Sequence, residues 1–297
     1  MLYLNDFSCL IMIYKRKFKR RFVFIVLFCS YLILCQSCMK MRMSSKETLK
    51  IFSVSKVDFI DQTFTMDTVK IHYIQTGNND NPTLFFIHGS PGSWDAYKDY
   101  LRDSLLLKKY RMIAIDRPGF GYSNFGDSED LPTQAKIIYN FLKSIDNKKS
   151  IILIGHSYGG PIVVKMAVNH PSFYSHLVIL AGAIDPKAEN PEKWRSFIMK
   201  KPIRYLIPGA LRPANDELWW LKKDLVDMEP RLNNIKSSIT IIHGTKDPLV
   251  PYSNMDFIQK KFKNAKSIDT ISIKNANHYI PWEHFDLIRN TLYNLKI

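Results

Sequence analysis

Residues 150–167 read SIILIGHSYGGPIVVKMA, and this stretch decides the fold class. Four apolar, β-forming residues at 151–154 predict a short buried strand, and the apolar run from residue 161 onward predicts a helix. Glycines at positions 155, 159 and 160 surround Ser157, which places this serine on a sharp turn between the strand and the helix. G-x-S-x-G in this setting exposes a serine hydroxyl as a nucleophile. A chance match in a loop is the alternative, and the flanking strand and helix argue against it.

The backbone of this turn also carries chemistry. A helix that begins directly after Ser157 leaves its first N–H groups, including that of Tyr158, without partners inside the helix. Such groups stabilise negative charge that develops on a carbonyl oxygen. We therefore expect the Tyr158 N–H to form part of an oxyanion hole.

Composition predicts one large folded body. The chain has 297 residues, of which 46% are hydrophobic and 13% aromatic, enough for a deep core. It carries 42 Lys and Arg against 27 Asp and Glu, a net charge of +15. Six of the basic residues fall within 15–21, and the others are scattered without a basic stripe interleaved with aromatic residues. This pattern predicts a solvated surface and no nucleic-acid partner, with weak attraction to anionic lipid as a secondary possibility.

Cysteine placement bears on cofactors and metals. All four cysteines, Cys9, Cys29, Cys35 and Cys38, fall in the first 38 residues, so the body holds neither a disulfide nor a thiolate metal site. No H-E-x-x-H motif is present, and no G-x-G-x-x-G follows the first strand expected to be parallel. We predict no metal and no cofactor.

The amino terminus has the order of an export signal. Basic residues at 15–21 precede an apolar run at 22–34, which is the length of a signal-peptide core and shorter than the roughly 20 residues that span a bilayer. Residues 35–38, CQSC, resemble the lipobox of bacterial lipoproteins, although Cys35 replaces the usual aliphatic residue. The resemblance implies lipidation of Cys38 and an exported, membrane-attached protein that contacts lipid through its amino terminus. An uncleaved signal anchor, a cytoplasmic enzyme with a spurious extension, and translation from Met12 remain alternatives.

The hydrophobic pattern divides the chain into a signal at 1–38, a tether at 39–49, a core at 50–182 and 233–297, and an insertion at 183–232. Within the core, 50–75 predicts antiparallel strands with a turn at Met66 and Asp67. Later segments alternate between strands and helices, which predicts a largely parallel sheet covered on both faces. Predicted strands lie at 83–87, 112–115, 151–154, 177–180, 239–242 and 266–273, and predicted helices at 95–106, 131–145, 253–262 and 282–295.

The insertion at 183–232 lacks a strand of its own and contains six prolines. We interpret it as a mostly helical lid, inserted after the sixth strand, whose aromatic residues contact an apolar part of the substrate. A surface excursion whose aromatics only pack on the body is the alternative. The aromatic residues are Trp194, Phe197, Tyr205, Trp219 and Trp220.

Five motifs follow one another on the expected elements: HGSPG (88–92), DRPGFGYS (116–123), GHSYGG (155–160), HGTKDPLVP (243–251) and NHYIPWEH (277–284). In this order they resemble the α/β-hydrolase superfamily, over about residues 50–297. The resemblance implies an α/β-hydrolase fold and a catalytic triad of Ser157 as nucleophile, Asp247 as acid and His278 as base. It also implies that the Ser90 N–H is the second oxyanion donor.

Each assignment has a rival. Asp185 follows a strand after which some members of this fold place the acid, whereas Asp116 is expected to structure its loop. We expect His88 and His243 to hydrogen-bond loops and His284 to lie within a helix. The Ser90 hydroxyl adds a third oxyanion donor or caps the local turn.

The nucleophile narrows the reaction. Haloalkane dehalogenases and epoxide hydrolases of this fold use an aspartate where this chain has Ser157, so the resemblance favours a serine hydrolase of carboxylic esters. Alternatives are carbon-carbon bond hydrolysis, a cofactor-free haloperoxidase reaction, and a membrane-tethered binding protein without turnover. Amide or peptide hydrolysis, as in proline iminopeptidases, is a further alternative and needs an acid near the pocket for a free amino terminus. The candidate acids are Glu189, Glu192, Asp216 and Glu217.

Overall fold

The computed structural model describes residues 3–37 and 39–296. In that part of the chain the strands are β1 (Phe59–Met66), β2 (Val69–Thr76), β3 (Thr83–Ile87), β4 (Arg111–Ile115), β5 (Ile151–His156), β6 (His176–Leu180), β7 (Ser238–Gly244) and β8 (Ser267–Ile273). They form one sheet in the order β1-β2-β4-β3-β5-β6-β7-β8.

The sheet is parallel from β4 to β8, and β1 and β2 extend it as an antiparallel hairpin. The expected fold class is thereby confirmed, including the lid inserted between β6 and β7. Because β3, β5 and β7 run in the same direction, the loops that follow them meet at one edge of the sheet. These loops carry the HGSPG, GHSYGG and HGTKDPLVP motifs.

Helices cover both faces of the sheet. Including those of the amino-terminal segment and of the lid, the α-helices of the described residues are α1 (Tyr3–Ser37), α2 (Ser45–Ser55), α3 (Lys98–Leu101), α4 (Ser104–Leu107), α5 (Leu131–Ser144), α6 (Gly159–Asn169), α7 (Trp194–Ile198), α8 (Leu211–Met228), α9 (Ser253–Lys261), α10 (Ile280–Glu283) and α11 (Phe285–Tyr293). Short 3₁₀ helices lie at Trp94–Tyr97, Ile203–Leu206 and Glu229–Asn234.

Alternation along the central strand creates a core on each face. Phe85 packs against Phe141 of α5, whereas its neighbour Phe86 packs against Tyr97 and Tyr100 on the opposite face. Successive side chains of a strand point to opposite faces, so a strand that is apolar throughout is buried between two layers of helices. All five residues of β3 are buried, which agrees with this position.

Two predicted helices are divided in the structure. The predicted helix at 95–106 becomes a 3₁₀ helix, α3 and α4, because the Asp103 carboxylate accepts the N–H groups of Leu105 and Leu106 and starts a new helix. The predicted helix at 282–295 is α10 and α11, which separate at His284. His284 was expected to lie inside a helix, but it lies at the boundary between α10 and α11.

The tether predicted at 39–49 is wrong in its second half. Helix α2 begins at Ser45, and Ser44 and Glu47 form a capping box in which each side chain accepts a hydrogen bond from the other residue's backbone. Phe52 of this helix is fully buried, with its ring stacked 4.4 Å from that of Phe59. The S-x-x-E spacing was present in the sequence and marks this start.

The amino-terminal segment is helical and contacts the lid. The apolar run at 22–34 lies within α1, whose Tyr31 hydroxyl donates to the Leu206 carbonyl at 2.9 Å. The Gly209 N–H donates to the Cys35 carbonyl, also at 2.9 Å. Cys38, the predicted lipidation site, lies outside the described residues. Within residues 3–37 and 39–296 no helix combines the length and apolar character needed to cross a membrane.

Candidate active site

Ser157 occupies the sharp turn between β5 and α6. Its φ of +54° lies in the left-handed region, which a residue with a side chain adopts at a cost. Close packing requires the glycines around it, since a Cβ on Gly159 would lie 2.2 Å from the Ile87 carbonyl oxygen. The Ser157 N–H donates to the Leu180 carbonyl at 3.0 Å, which anchors the strained residue to the neighbouring strand. Ser157 is half-buried and lines a cavity.

His278 and Asp247 form a buried pair beside this turn. The Nδ1 atom of His278 lies 2.7 Å from Oδ2 of Asp247, and the His278 side chain is 5% exposed. The other Asp247 oxygen accepts the N–H groups of Leu249 and Val250 at 2.9 Å each. With Nδ1 donating to the carboxylate, Nε2 of His278 is left to accept a proton.

Hydrogen bonds keep Asp247 ionised. Burial by itself would raise the pKa of this carboxyl. Donors from His243, His278 and the Val250 backbone outweigh the burial and hold its pKa well below the usual range. A carboxylate that stays charged stabilises the imidazolium that forms when His278 takes up a proton.

His156, directly before Ser157, fixes the histidine loop to the turn. Its Nε2–H donates to the His278 carbonyl at 3.0 Å, and the two imidazole centroids are 4.7 Å apart. Burial, followed by the neighbouring His278, lowers the pKa of His156 to about 3, so this ring is a neutral donor at physiological pH. Sequence reasoning did not single out this contact.

Two residues that line the cavity near Ser157 have backbone N–H groups without a hydrogen-bond partner in the described part of the chain. The loop after β3 approaches the serine so closely that a Cβ on Gly89 would lie 3.0 Å from the Ser157 Cβ. Neither the Ser90 N–H nor the Tyr158 N–H donates to an acceptor among the described residues, and both residues line the cavity. The Ser90 hydroxyl is buried and also lacks a partner there, which favours its role as a donor over its role as a turn cap.

The rival residues have other tasks. The Asp185 carboxylate accepts the Lys187 N–H at 2.8 Å and thus stabilises its own loop. Asp116 accepts the N–H groups of Trp94 and Tyr122, which agrees with its expected structural role. His243 bonds the Val250 carbonyl at 3.0 Å, as expected for a loop-holding histidine.

The cavity beside Ser157 has a volume of about 1150 Å³. Its apolar lining includes Leu218, Leu221, Leu249 and Trp282. Its charged lining consists of three cationic side chains and five carboxyl side chains. These are Arg42, Lys98 and Arg195, and Glu47, Asp95, Asp99, Glu189 and Glu192. The contribution of residues 41–43 was not foreseen, because no sequence pattern links this segment to the site.

The predicted aromatic lid residues are not brought to the cavity. Trp194, Phe197 and Tyr205 are 53%, 57% and 42% exposed, and Trp219 and Trp220 are half-buried away from the lining. On α8 the residues that line the cavity are Leu218 and Leu221. One residue of an α-helix turns the side chain by about 100°, so Trp219 and Trp220 point away from the face that Leu218 and Leu221 share.

Three of the four acids considered for binding an amino terminus are already paired. Arg117 binds Glu217, Arg204 binds Asp216 at 2.6 Å, and Arg195 binds Glu192 at 2.6 Å. Glu217 and Asp216 are buried and do not line the cavity, which corrects their assignment. Glu189 lines the cavity, and burial raises the pKa of its carboxyl.

Over the described ranges, no cluster of three or more His, Cys, Asp or Glu side chains has the geometry to hold a metal ion. The groups gathered at the cavity are a serine, a histidine paired with a carboxylate, and two backbone N–H groups without partners among the described residues. This set can perform nucleophilic attack on a carbonyl carbon, proton transfer, and stabilisation of an oxyanion.

Comparison with known proteins agrees with the α/β-hydrolase fold. Residues 82–205 match the family model described as alpha/beta hydrolase fold. The uncharacterized hydrolase YugF of Bacillus subtilis (strain 168) is 26% identical over 261 residues, covering 76% of this chain and 93% of that protein. A 2-hydroxy-6-oxononadienedioate/2-hydroxy-6-oxononatrienedioate hydrolase of Escherichia coli O81 (strain ED1a) is 26% identical over 268 residues, covering 76% of this chain and 91% of that protein.

Among solved structures, a bacterial membrane phospholipase A, described as a virulence factor, superposes with a TM-score of 0.62. The match covers 95% of this chain and 100% of that one at 20% sequence identity. At this identity the likeness concerns the fold.

Proposed function

Because the chain belongs to the α/β-hydrolase fold superfamily, we propose that it is a serine hydrolase that cleaves a carboxylic ester through an acyl-enzyme. The observation that carries the proposal is the buried 2.7 Å contact between His278 and Asp247 in a cavity that also exposes the strained Ser157. Hydrolase names among the relatives support the reaction class.

The mechanism assigns one task to each residue. Ser157 attacks the ester carbonyl carbon while Nε2 of His278 takes its proton. Asp247 keeps the imidazole in the required tautomer and stabilises the imidazolium. The oxyanion accepts the N–H groups of Ser90 and Tyr158. The imidazolium then protonates the leaving alcohol, and a water activated by His278 hydrolyses the acyl-enzyme in the same way.

The cavity lining favours a neutral substrate with an apolar group. Five carboxyl side chains against three cationic ones disfavour a dianion such as the dioate for which the Escherichia coli relative is named. Leu218, Leu221 and Leu249 offer apolar surface to an acyl chain or an alcohol. These features support a neutral ester over a dianionic substrate of the kind for which that relative is named.

The test is hydrolysis of p-nitrophenyl esters from acetate to laurate by the parent and by Ser157→Ala. Turnover by the parent that is lost in the variant is the expected result, and the preferred chain length measures the apolar part of the cavity. Esters left uncleaved by the parent, or cleaved equally by both proteins, would refute the proposal.

Amide hydrolysis is the second candidate, and Glu189 favours it. A carboxyl that lines the cavity is suitably placed to bind a free amino group once ionised. L-prolyl p-nitroanilide is the discriminating substrate. Turnover of this anilide above that of the esters, lost in Glu189→Gln, would assign a peptidase.

We also propose that the protein is exported and held at a membrane by its amino terminus. Support comes from α1, where the apolar residues Phe24 and Leu27 are 70% and 64% exposed and follow the basic residues at 15–21. Exposed apolar surface next to positive charge suits an anionic lipid surface. Because α1 contacts the lid, this attachment places the lid near the lipid.

Flotation of the full chain with phosphatidylglycerol vesicles tests the attachment. Phe24→Asp/Leu27→Asp is expected to abolish flotation, whereas Leu49→Asp, on an exposed position of α2, is the matched control that floats like the parent. Equal flotation of all three proteins would exclude α1 as the anchor. Intact mass of the exported protein separates cleavage and lipidation at Cys38 from an uncleaved anchor.

A further inference from the structure

A buried arginine links the lid to the loop that carries Ser90. Arg117 follows β4, is fully buried, and forms a two-pronged ion pair with Glu217 of the lid helix α8, with distances of 2.7 and 2.8 Å. The same guanidinium donates from Nη2 to the Gly89 carbonyl at 2.9 Å. One side chain of the core thus joins the lid to the peptide directly before Ser90.

The Gly89 carbonyl has a second donor. Nδ1 of His88 lies 2.7 Å from this oxygen, and Nε2 of His88 accepts a hydrogen bond from the backbone N–H of Arg117 at 3.0 Å. The second bond leaves the proton on Nδ1, which therefore donates to Gly89. Burial, together with the nearby Arg117, lowers the pKa of His88 well below its usual value, so the ring stays neutral and keeps this tautomer.

The consequence follows from the geometry of a peptide. The Gly89 carbonyl and the Ser90 N–H belong to the same planar peptide unit, in which the C=O and N–H bonds point in opposite directions. Two donors that hold the oxygen toward Arg117 and His88 therefore direct the N–H away from these two side chains. Rotation of this peptide would break both hydrogen bonds and take one acceptor from Nη2 of the buried Arg117 guanidinium, whose Nε already lacks a partner among the described residues.

Tyr158, whose backbone N–H is the other proposed oxyanion donor, contacts the same arginine through its ring. The Arg117 guanidinium carbon lies 4.8 Å from the centroid of the Tyr158 ring. Gln134 completes the buried network, accepting from Arg117 at 2.7 Å and donating to Glu217 at 2.8 Å. Arg117 thus contacts both the peptide that precedes Ser90 and the ring of Tyr158.

We infer that Arg117, held by Glu217 of the lid, is a positioning residue that orients the Gly89–Ser90 peptide and thereby assembles the oxyanion hole. This inference rests on the proposed function, because it concerns the donors of the same site. Correct seating of the lid helix is then a condition for transition-state stabilisation, although the lid is not part of the sheet.

The test removes the pair while keeping the fold. Arg117→Met/Glu217→Met replaces a buried ion pair with apolar side chains, a change that is often neutral for stability. The matched control is Arg204→Met/Asp216→Met, which removes the neighbouring lid ion pair without touching Gly89. Thermal unfolding of both variants reports on the fold.

The readout compares a p-nitrophenyl ester with its thionoester, in which sulfur replaces the carbonyl oxygen. Sulfur is a weak hydrogen-bond acceptor, so preference for the ester measures the oxyanion hole and is insensitive to general loss of active protein. Loss of a whole oxyanion donor costs about 10²–10³-fold, and we expect the misoriented donor to cost about 10–10²-fold in kcat with KM nearly unchanged. The preference for the ester should fall by a similar factor, and the control should match the parent.

An unchanged ester preference in the Arg117 and Glu217 variant would overturn the inference while leaving the proposed function intact. A parent without ester turnover would refute the proposed function and the inference with it. If the double variant does not unfold cooperatively, Arg117→Lys decides, since an ammonium keeps the charge beside Glu217 but lacks the fork that reaches Gly89 as well. Retained ester preference in that variant would likewise overturn the inference.

Discussion

Replacing Asp247 with asparagine tests the proposed triad at its most constrained position. Asparagine keeps an oxygen for the N–H groups of Leu249 and Val250, so the loop after β7 is expected to retain its shape. Its amide nitrogen, however, faces Nδ1 of His278 across the 2.7 Å contact and requires that nitrogen to be unprotonated. The proton then sits on Nε2, where it blocks the acceptance of the Ser157 proton. The wrong tautomer is expected to lower kcat by about 10⁴-fold, equivalent to about 5 kcal/mol of barrier.

Asp185→Asn is the matched control, because Asp185 is the rival acid and asparagine also preserves its bond to the Lys187 N–H. Hydrolysis of the best p-nitrophenyl ester should be close to that of the parent in this control. The reasoning is refuted if Asp247→Asn retains more than about a tenth of the parent kcat while the protein stays folded. A large loss in Asp185→Asn alone would transfer the acid role to that residue.

Two further predictions concern the body of the protein. Phe52→Ala should lower the free energy of unfolding by about 3–5 kcal/mol in urea because Phe52 is fully buried, whereas Leu49→Ala on the exposed face of the same helix should cost less than about 0.5 kcal/mol; equal losses would show that α2 is not docked. Burial alone would lower the pKa of His72, but the carboxylates of Asp116 and Asp61 raise it. The contribution of protonated His72 to the free energy of unfolding is therefore complete below about pH 6 and is lost as the pH rises through the raised pKa. The difference in unfolding free energy between the parent and His72→Gln should therefore be larger at pH 5.5 than at pH 8.5, and an equal difference at both pH values would contradict this assignment.

The sequence predicted the sheet and the turn at Ser157 because these features depend on local pattern. Runs of apolar β-forming residues mark strands buried on both faces, and glycines mark the positions where backbones approach closely. The proposed triad could be suggested because its three members follow strand ends that a parallel sheet brings to one edge. The contact between His278 and Asp247 is of this kind.

Two features that the sequence did not predict depend on contacts between distant segments. The lid was expected to contact the substrate through its aromatic residues, Trp219 among them, but which face of α8 meets the cavity depends on how the lid docks, and that face carries Leu218. The pairing of Glu217 with Arg117 joins residues 100 positions apart in the chain, and no local signal indicates it. The capping box at Ser44 is a local signal, and it could have been used to predict the start of α2 within the segment that was interpreted as a tether.

Covalent labelling tests the central claim, that Ser157 is an activated nucleophile, most directly. The full chain is treated with a fluorophosphonate, and the modified peptide is located by mass spectrometry, with His278→Ala as the variant that lacks the base. The account predicts a single adduct on Ser157 in the parent and strongly slowed labelling in His278→Ala. An unmodified parent, an adduct at another residue, or equal labelling of both proteins would contradict it.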